Sequence, residues 1–260
     1  MRLKLATFNI CHGMGIDKVT DLGRTIEVIR ASGADLIGLQ EVDRHFGERS
    51  GWEDQPERLS HALGMHVAYG PNLELEEDPQ HPGVRRQYGT AILSRYPVEY
   101  AHNHPLPQVI VPGAWNEKRG ILEAHIRIGG RLVRFLNTHL GLAAEERSLQ
   151  TKVLSELVDA GSTGNLSSSP IVLTGDFNTS PEQMELASIG LLLQDSYATA
   201  HEGAHGETFL ILDPGKKPEQ ARADRCIDYI FVSSALRVVG SEVLRTYVSD
   251  HLPIVTEVEW

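Results

Sequence analysis

The chain has 260 residues, of which 41% are hydrophobic and 23% are charged, a composition that can build the sizeable core of a globular protein. Its 24 basic and 35 acidic residues give a net charge of −11, so the bulk charge offers no basic face for long nucleic acid, although local basic patches stay open. Two cysteines, no apolar run of membrane-spanning length and no signal-peptide core predict a cytoplasmic protein without a disulfide framework.

The first third of the chain alternates predicted strands and helices. Thr20 or Asp21 can cap a helix that carries Leu22, Ile26 and Ile29 on one face and stops near Gly33. The other elements predicted here are a strand at Leu3–Ile10, a buried strand at Asp35–Glu41, a helix at Gln55–Leu63 and a strand near Met65–Tyr69.

The middle of the chain is predicted to consist of paired strands and long loops. Leu73–Gln87 has no periodicity and reads as an exposed, charged loop, and the proline-rich segment His102–Lys118 reads as a long loop over a site. Tyr88–Ser94 is predicted to pair with Val98–His102 around Arg95-Tyr96-Pro97. A second hairpin joins Arg119–Ile128 to Leu132–His139 through Gly129-Gly130.

The last part of the chain is rich in predicted strands. Glu145–Val158 reads as an amphipathic helix with Leu149, Val153 and Leu157 in one row, and Gly161–Ser169 reads as a polar linker. A buried strand, Pro170–Asp176, is then followed by a helix at Glu182–Ser188, an irregular segment at His201–Arg225 and strands at Cys226–Ser233, Leu236–Leu244 and Leu252–Val258. Strands alternate with helices early in the chain and follow one another closely late in the chain, a pattern that predicts mixed sheets.

Polar side chains stand at the ends of these predicted strands. Four close a strand-like run and three open one, so strands running in opposite directions would bring all of them to one edge of the sheets. The closing residues are Asn9, Glu41, His139 and Asp176, and the opening residues are Asp228, Asp250 and His251.

These residue types fit the hydrolysis of phosphate esters. Glu41 offers the oxygen ligand that a hard cation such as Mg²⁺ prefers, and the cation would neutralise phosphate charge. Asp228 and His251 form a candidate pair in which the carboxylate fixes the imidazole tautomer. Asp176 and Asn178 can orient a water molecule if they share one face, whereas an Asx turn at the end of a strand is the alternative.

Six ordered stretches resemble the successive motifs of the endonuclease/exonuclease/phosphatase superfamily and cover nearly the whole chain. They are Thr7-Phe-Asn9-Ile with Gly13, Leu39-Gln-Glu41-Val, Asn137-Thr-His139-Leu, Gly175-Asp176-Phe-Asn178, Ile227-Asp228-Tyr-Ile and Ser249-Asp250-His251-Leu-Pro. The resemblance implies one domain over residues 1–260. The implied fold is an α/β (α+β) four-layer α/β/β/α sandwich like that of deoxyribonuclease I, with two mixed β-sheets face to face and the active site at one edge.

The resemblance also implies roles for the residues of these motifs. Glu41 is then the principal ligand of one or two Mg²⁺ ions, with Mn²⁺ as the alternative, while Asn9 and Asp250 lie at the metal site. Asp176 activates or positions the water, and Asn178 orients the water or the phosphate. His139 and His251 bind phosphate oxygens or transfer protons, and Asp228 supports His251.

The resemblance further distinguishes branches of the superfamily. His139 in Asn-Thr-His resembles the sphingomyelinase, deoxyribonuclease and phosphatase side, because abasic-site endonucleases rely on a tyrosine placed earlier. Cys226 stands where many relatives carry arginine before Ile-Asp-Tyr, and Arg225 is displaced by one position.

Arg119 is a candidate phosphate contact through its fork of donors, with a surface ion pair as the alternative. Trp115 is expected to pack partly in the core rather than to stack on substrate.

The sequence therefore predicts a metal-dependent phosphodiesterase or phosphatase acting by in-line attack of water, on a small or lipid phosphodiester. A nuclease acting on DNA or RNA is the alternative, which the net charge disfavours. A catalytically silent binding module on the same fold is the alternative from another class. The oligomeric state is not readable from the sequence.

Overall fold

The computed structural model describes residues 1–110, 112, 116–160 and 169–260. Within these residues two six-stranded mixed sheets and one two-stranded hairpin make up the β-structure. The strands are β1 (Arg2–Asn9), β2 (Leu36–Arg44), β3 (His66–Leu75), β4 (Arg86–Ser94), β5 (Val98–Pro105), β6 (Gly120–Ile128), β7 (Arg131–His139), β8 (Ile171–Asp176), β9 (Gln194–Asp195), β10 (Phe209–Ile211), β11 (Arg222–Arg225), β12 (Asp228–Val232), β13 (Arg237–Val243) and β14 (Ile254–Glu259). The helices are α1 (Leu22–Ser32), α2 (Gln55–Leu63), α3 (Ala144–Ala160), α4 (Ala187–Gly190) and α5 (Ser196–Ala200).

Each large sheet has a parallel pair at its centre. The first sheet has the order β13-β14-β1-β2-β4-β3 with β1 parallel to β2, and the second has the order β5-β6-β7-β8-β12-β9 with β7 parallel to β8. The carboxyl ends of the parallel strands therefore lie at one edge of the molecule. β12 runs antiparallel to β8, so its first residue lies at that same edge.

Buried side chains form an apolar layer between the sheets and one on the outer face of each sheet. The inner layer joins the two sheets through residues such as Leu5, Ile92 and Phe135. Helices α1 and α2 cover the first sheet, and Leu154 and Val158 of α3 cover the second. This is the predicted α/β/β/α order of layers, and the predicted fold class is confirmed.

The predicted helix boundaries follow from local capping. The Asp21 carboxylate accepts a hydrogen bond from the Gly23 amide at 2.8 Å, which caps α1. Gly33 ends the helix with φ 67°, a left-handed conformation that costs glycine little. In α2 the Asp54 carboxylate accepts from the Glu57 amide at 3.0 Å. Helix α2 has the predicted bounds, and the hairpin of β6 and β7 also forms as predicted.

The predicted pairing of Tyr88–Ser94 with Val98–His102 is wrong. Strand β4 pairs with β2 and β3 in the first sheet, whereas β5 pairs with β6 in the second. Residues 95–97 therefore carry the chain from one sheet to the other. A turn between two strand-like runs does not by itself distinguish a hairpin from such a crossing.

Four other predicted segments differ from the structure. β3 extends to Leu75 and β5 to Pro105, so the loops predicted at Leu73–Gln87 and His102–Lys118 are both shorter. The segment His201–Arg225, predicted to be irregular, contains the hairpin β10–β11. The predicted helix at Glu182–Ser188 is a 3₁₀ turn followed by α4. Leu149, predicted to be in the buried row of α3, is 45% exposed, because the helix turns Gln150 and Leu154 inward.

Trp115 and almost all of the predicted linker lie outside the described residues. Among the described residues, no helix is long and apolar enough to span a membrane.

Candidate active site

The register of the second sheet places three predicted site residues in one row. His139 of β7 lies opposite Asp176 of β8, and Asp228 of β12 lies opposite Asp176 on its other side. Asn9 ends β1 of the first sheet, whereas β2 continues past Glu41 to Arg44, beyond the strand end predicted at Glu41. The predicted convergence of strand ends thus follows from two sheets that present the same edge.

Asp176 is the centre of this cluster. Its Oδ2 atom accepts a hydrogen bond from Asn9 Nδ2 at 3.0 Å and lies 3.5 Å from His139 Nε2 and 3.7 Å from His251 Nε2. Burial, followed by the nearby Asp228 carboxylate, raises the pKa of Asp176 above its ordinary value. A buried carboxylate between two imidazoles is suited to hold and polarise a water molecule.

His251 is held as an imidazolium by two carboxylates. Its Nδ1–H donates to Asp228 Oδ2 at 2.9 Å, and the Phe209 ring packs edge-on against the imidazole at 5.2 Å. Burial opposes the positive charge, but Asp228 and Asp176 outweigh it and raise the pKa of His251 to about 10. The predicted Asp228–His251 pair is therefore present, with Nε2 left to face the reacting centre.

His139 has the opposite protonation tendency. It is buried beside Asp176, and burial, together with the positive charges of Arg119 and His251, lowers the pKa of His139 well below its usual range. The site thus holds one neutral and one charged imidazole, which can serve different proton-transfer roles.

Glu41 lies beside this cluster in a strained backbone conformation. The pairing of β2 with β4 is interrupted between Leu39 and Val42, and Glu41 has φ 57° in that bulge. Burial raises the pKa of Glu41 to about 7. The hydrogen bond from Asn9 opposes this rise in the pKa, and the charge of Asp250 adds to it. The bulge directs the carboxylate into the cleft, where like charges accumulate.

A divalent cation fits this part of the site. Glu41 and Asp250 both line the cleft, and each raises the electrostatic cost of the other's charge, which a cation would remove. The Asn9 amide donates to Glu41 Oε1 at 3.1 Å, while its oxygen accepts from the Cys11 amide at 3.0 Å. In this orientation the Asn9 amide aligns the carboxylates of Glu41 and Asp176. The role of Asn9 as a direct metal ligand stays a prediction.

Asn178 follows the strand in a left-handed turn. Its backbone amide donates to Asp176 Oδ1 at 2.9 Å, and its side-chain amide donates to the Leu140 carbonyl at 3.0 Å. The φ value of 50° is one that asparagine tolerates better than most residues. The Asx turn, which was the alternative, is present, and Asn178 also lines the cleft, so its role toward water or phosphate stays a prediction.

A buried polar network joins the two sheets beneath the site. Asn137 donates to the carbonyls of Leu39 at 2.8 Å and Ala91 at 3.0 Å, and its oxygen accepts from Gln40 Nε2 at 2.6 Å. Gly38 permits this close approach, because a Cβ there would lie 2.1 Å from Thr174 Oγ1. The network ties the strand that carries His139 to the strand that carries Glu41.

The cleft above these residues has a volume of about 600 Å³. It is larger than a phosphate group needs, so part of it is available to the rest of a substrate. It is lined by Glu41, Phe46, Arg49, Leu73, Leu75, Tyr88, Glu117, Arg119, His139, Leu142, Asp176, Asn178, Phe209, Asp250 and His251.

Arg119 lies in this cleft and not in the surface ion pair that was the alternative. Its side chain is 6% exposed, and Nη1 lies 2.7 Å from Glu117 Oε1. Its Nε atom is buried and, across the part of the chain that the structure describes, has no hydrogen-bond partner. A buried guanidinium with a free donor can bind a phosphate oxygen.

Several cleft residues carry no site signal in the sequence. Arg49 comes from an unmarked turn, where its guanidinium pairs with Asp43 at 2.6 Å and lies 4.0 Å above the Phe46 ring. Leu73 and Leu75 were assigned to an exposed loop, and they reach the cleft because β3 is longer than predicted. These contacts depend on tertiary packing.

Several polar residues close in sequence to the site motifs have different surroundings. Arg44 pairs with Asp54 on the surface, and neither it nor His45 lines the cleft. Arg225 is exposed and lies 4.6 Å from the centre of the Phe209 ring, so it reaches the site only through that residue. His12 is buried and not in solvent.

The two cysteines are both free and buried. Burial, followed by the nearby carboxylates of Asp250 and Glu41, raises the pKa of the Cys11 thiol above its usual range. Cys226 packs in the outer apolar layer of the second sheet with Tyr229.

Comparisons with known proteins find similar proteins over nearly the whole chain. The model of the Endonuclease/Exonuclease/phosphatase family matches residues 6–251. The uncharacterized protein YbhP of Escherichia coli K12 is 29% identical over 270 residues, which cover 98% of this chain and 95% of that protein.

Solved structures show the same fold. An endonuclease/exonuclease/phosphatase from Beutenbergia cavernae is 26% identical with a TM-score of 0.76, covering 99% of this chain and 71% of that one. A mannosyl-6-phosphatase from Bacteroides thetaiotaomicron is 21% identical with a TM-score of 0.71, covering 99% of this chain and 100% of that one.

Proposed function

The chain belongs to the endonuclease/exonuclease/phosphatase family, and on this premise we propose that it is a divalent-metal-dependent phosphoester hydrolase. The observation that carries the proposal is the contact of one carboxylate, Asp176, with Asn9 and both imidazoles in an open cleft. These four residues are brought together from three strands and one loop, and their groups are ones that phosphoryl transfer to water uses.

The proposed reaction is in-line attack of water on phosphorus. Asp176 orients the water and takes up its proton, and the backbone turn at Asn178 fixes the orientation of that carboxylate. His251, held by Asp228, donates from Nε2 to a phosphate oxygen, and neutral His139 completes the oxygen contacts. Arg119 supplies a further donor from the wall of the cleft.

The residues that would hold the metal are Glu41 and Asp250, with Asn9 aligning Glu41. We propose Mg²⁺, with Mn²⁺ as the alternative, because both ligands are carboxylates. The bound ion would neutralise charge on the phosphate and on the leaving oxygen.

The proposed substrate is a small or lipid phosphodiester. Leu73, Leu75 and Leu142 give part of the cleft an apolar wall, which suits a substrate with an apolar portion next to the phosphate. The net charge of −11 disfavours long nucleic acid, because phosphate backbones require positive charge for binding. A cytoplasmic location stays a prediction.

The proposal is tested first with a generic diester, bis-nitrophenyl phosphate, and added Mg²⁺ or Mn²⁺. Hydrolysis should stop with excess EDTA and return with added metal. Glu41→Gln and His251→Ala should abolish turnover without loss of fold, whereas Glu27→Gln and His61→Ala, at exposed positions, are the matched controls. Full activity in EDTA would refute the metal mechanism, and an active His251→Ala enzyme would remove that residue from the scheme.

A second assay compares lipid phosphodiesters, nucleotides, inositol phosphates, DNA and RNA under the same conditions. Faster turnover of DNA or RNA than of every small ester would establish the nuclease alternative. Absence of turnover in a folded protein that binds metal would favour a silent binding module.

A further inference from the structure

A turn next to Glu41 carries two further groups that can bind metal. Cys11 and His12 follow β1 directly, and one ligand atom from each of Cys11, His12 and Glu41 lies within 4.8 Å of the others. The ligand atoms of a tetrahedral zinc site are about 3.4–3.8 Å apart, as follows from bond lengths of about 2.0–2.3 Å. Small side-chain movements would therefore close these three residues around one ion.

The backbone of this turn is strained and firmly held. Cys11 has φ 43° and His12 has φ 45°, so two successive residues other than glycine are left-handed. Each such residue costs about 1–3 kcal/mol and persists only where its surroundings impose it. Here the Asn9 side chain accepts from the Cys11 amide at 3.0 Å, and Gln55 donates to the His12 carbonyl at 2.8 Å. The fold thus keeps both side chains beside Glu41.

Burial leaves the imidazole of this turn incompletely bonded. Cys11 is 7% exposed and His12 is 8% exposed, and His12 Nδ1 has no hydrogen-bond partner among the described residues. An unpaired buried nitrogen costs about 1–3 kcal/mol. An unpaired nitrogen on a buried imidazole next to a thiol and a carboxylate requires an explanation, and a cation bound by that nitrogen would supply one.

The charges around the turn permit a cation. Arg49 lies near His12, but its guanidinium is paired with the buried Asp43 carboxylate through contacts of 2.6 and 2.9 Å. Asp250 lies beside the Cys11 thiol and lines the cleft, as Glu41 does, so the three ligands adjoin the open cleft through Glu41.

We propose that Cys11, His12 and Glu41 form a binding site for a borderline-soft transition-metal ion of the zinc class. Binding breaks the Cys11 S–H bond, forms a sulfur–metal bond and releases the proton to solvent. The mixed sulfur, nitrogen and oxygen ligands select against Mg²⁺, which takes oxygen ligands. Glu41 is shared with the proposed catalytic site, and only through this residue does the inference rest on the proposed function.

Cadmium and cobalt are the probes, because a metal-bound thiolate gives a charge-transfer absorption that Mg²⁺ does not produce. The two cysteines allow a matched comparison. Titration of the wild type and of Cys226→Ser with Cd²⁺ should give the same band, saturating at equimolar metal, whereas Cys11→Ser should give none. His12→Gln should keep the band and weaken Cd²⁺ binding at least about tenfold.

Circular dichroism and thermal unfolding establish that each variant is folded. In the wild type, equimolar Zn²⁺ should also protect Cys11 from alkylation, mapped by mass spectrometry, which gives a readout without any substitution. A folded Cys226→Ser protein without the band, or an unchanged band in Cys11→Ser, would overturn the inference.

Hydrolysis of bis-nitrophenyl phosphate is measured on the same wild-type sample with Mg²⁺. Hydrolysis without a charge-transfer band overturns the Cys11 site alone. A band without hydrolysis of any ester overturns the proposed function alone.

Discussion

Replacing Asp228 with asparagine removes one charge from the buried contact with His251 while it keeps the size of the side chain. Asp228 is 1% exposed, its Oδ2 lies 2.9 Å from His251 Nδ1, and its Oδ1 has no hydrogen-bond partner in the described part of the chain. The asparagine oxygen can still accept the hydrogen bond, so the variant isolates the effect of the charge.

The magnitude follows from the shift in the pKa of His251. A rise from the ordinary value of 6.5 to about 10 corresponds to about 5 kcal/mol, at ~1.4 kcal/mol per pKa unit. Asp176 contributes to that rise, so we expect Asp228→Asn to lower the free energy of unfolding by about 3 kcal/mol. For a chain of this length the midpoint of thermal unfolding should fall by about 6–12 °C.

The direction in which the stability difference changes with pH follows from the direction of the His251 pKa shift. The folded-state pKa of His251 is raised, so its stabilisation is fully present below pH 6.5 and is lost as the pH rises toward about 10. The stability difference between wild type and variant should therefore be largest near pH 6 and should narrow up to pH 10. Unfolding by urea in EDTA, over this pH range, measures the difference.

Two outcomes would refute this reasoning. One is a stability difference that stays constant from pH 6 to pH 10, and the other is a His251 imidazole that titrates at the same pH in both proteins by NMR. Asp21→Asn is the control, because asparagine caps a helix as well as aspartate does. In the activity assay we expect Asp228→Asn to lower kcat by about 10²–10⁴-fold.

Asn137→Ala should lower the free energy of unfolding by about 2–4 kcal/mol and reduce turnover, because the buried carbonyls of Leu39 and Ala91 lose the Asn137 donor and Gln40 loses one of its acceptors; a loss below about 0.5 kcal/mol contradicts this. Glu123→Gln should cost about 2 kcal/mol at pH 7, because the carboxylate pairs with the buried Arg134 at 2.8 Å. Burial opposes this charge, but hydrogen bonds from His125 and Arg134 lower the pKa of Glu123 to about 2, so urea unfolding should show the difference vanish as pH falls from 4.5 toward 2. Arg119→Lys should raise KM about tenfold, because lysine lacks the guanidinium fork, and an unchanged KM would exclude the proposed phosphate contact.

Much of the fold and most of the candidate site could be predicted because their signals are local. Asp21 and Gly33 mark the ends of α1 by hydrogen bonds and dihedral angles that involve only adjacent residues. The polar residues at strand ends were visible for the same reason, since a buried strand followed by an acid or an amide is a pattern of a few residues. The roles assigned to the site residues stay predictions until substrate or metal binding is measured.

What the sequence alone determined is therefore the type and ends of most elements and the residues gathered at one edge. Tertiary structure decided which sheet each strand joins, as β4 and β5 illustrate, because sheet assignment depends on packing between segments far apart in the chain. It also decided that Arg119 is buried in the cleft and that Cys11 and His12 lie beside Glu41. Burial and ligand geometry are set by side chains from several distant strands, and no local pattern records them.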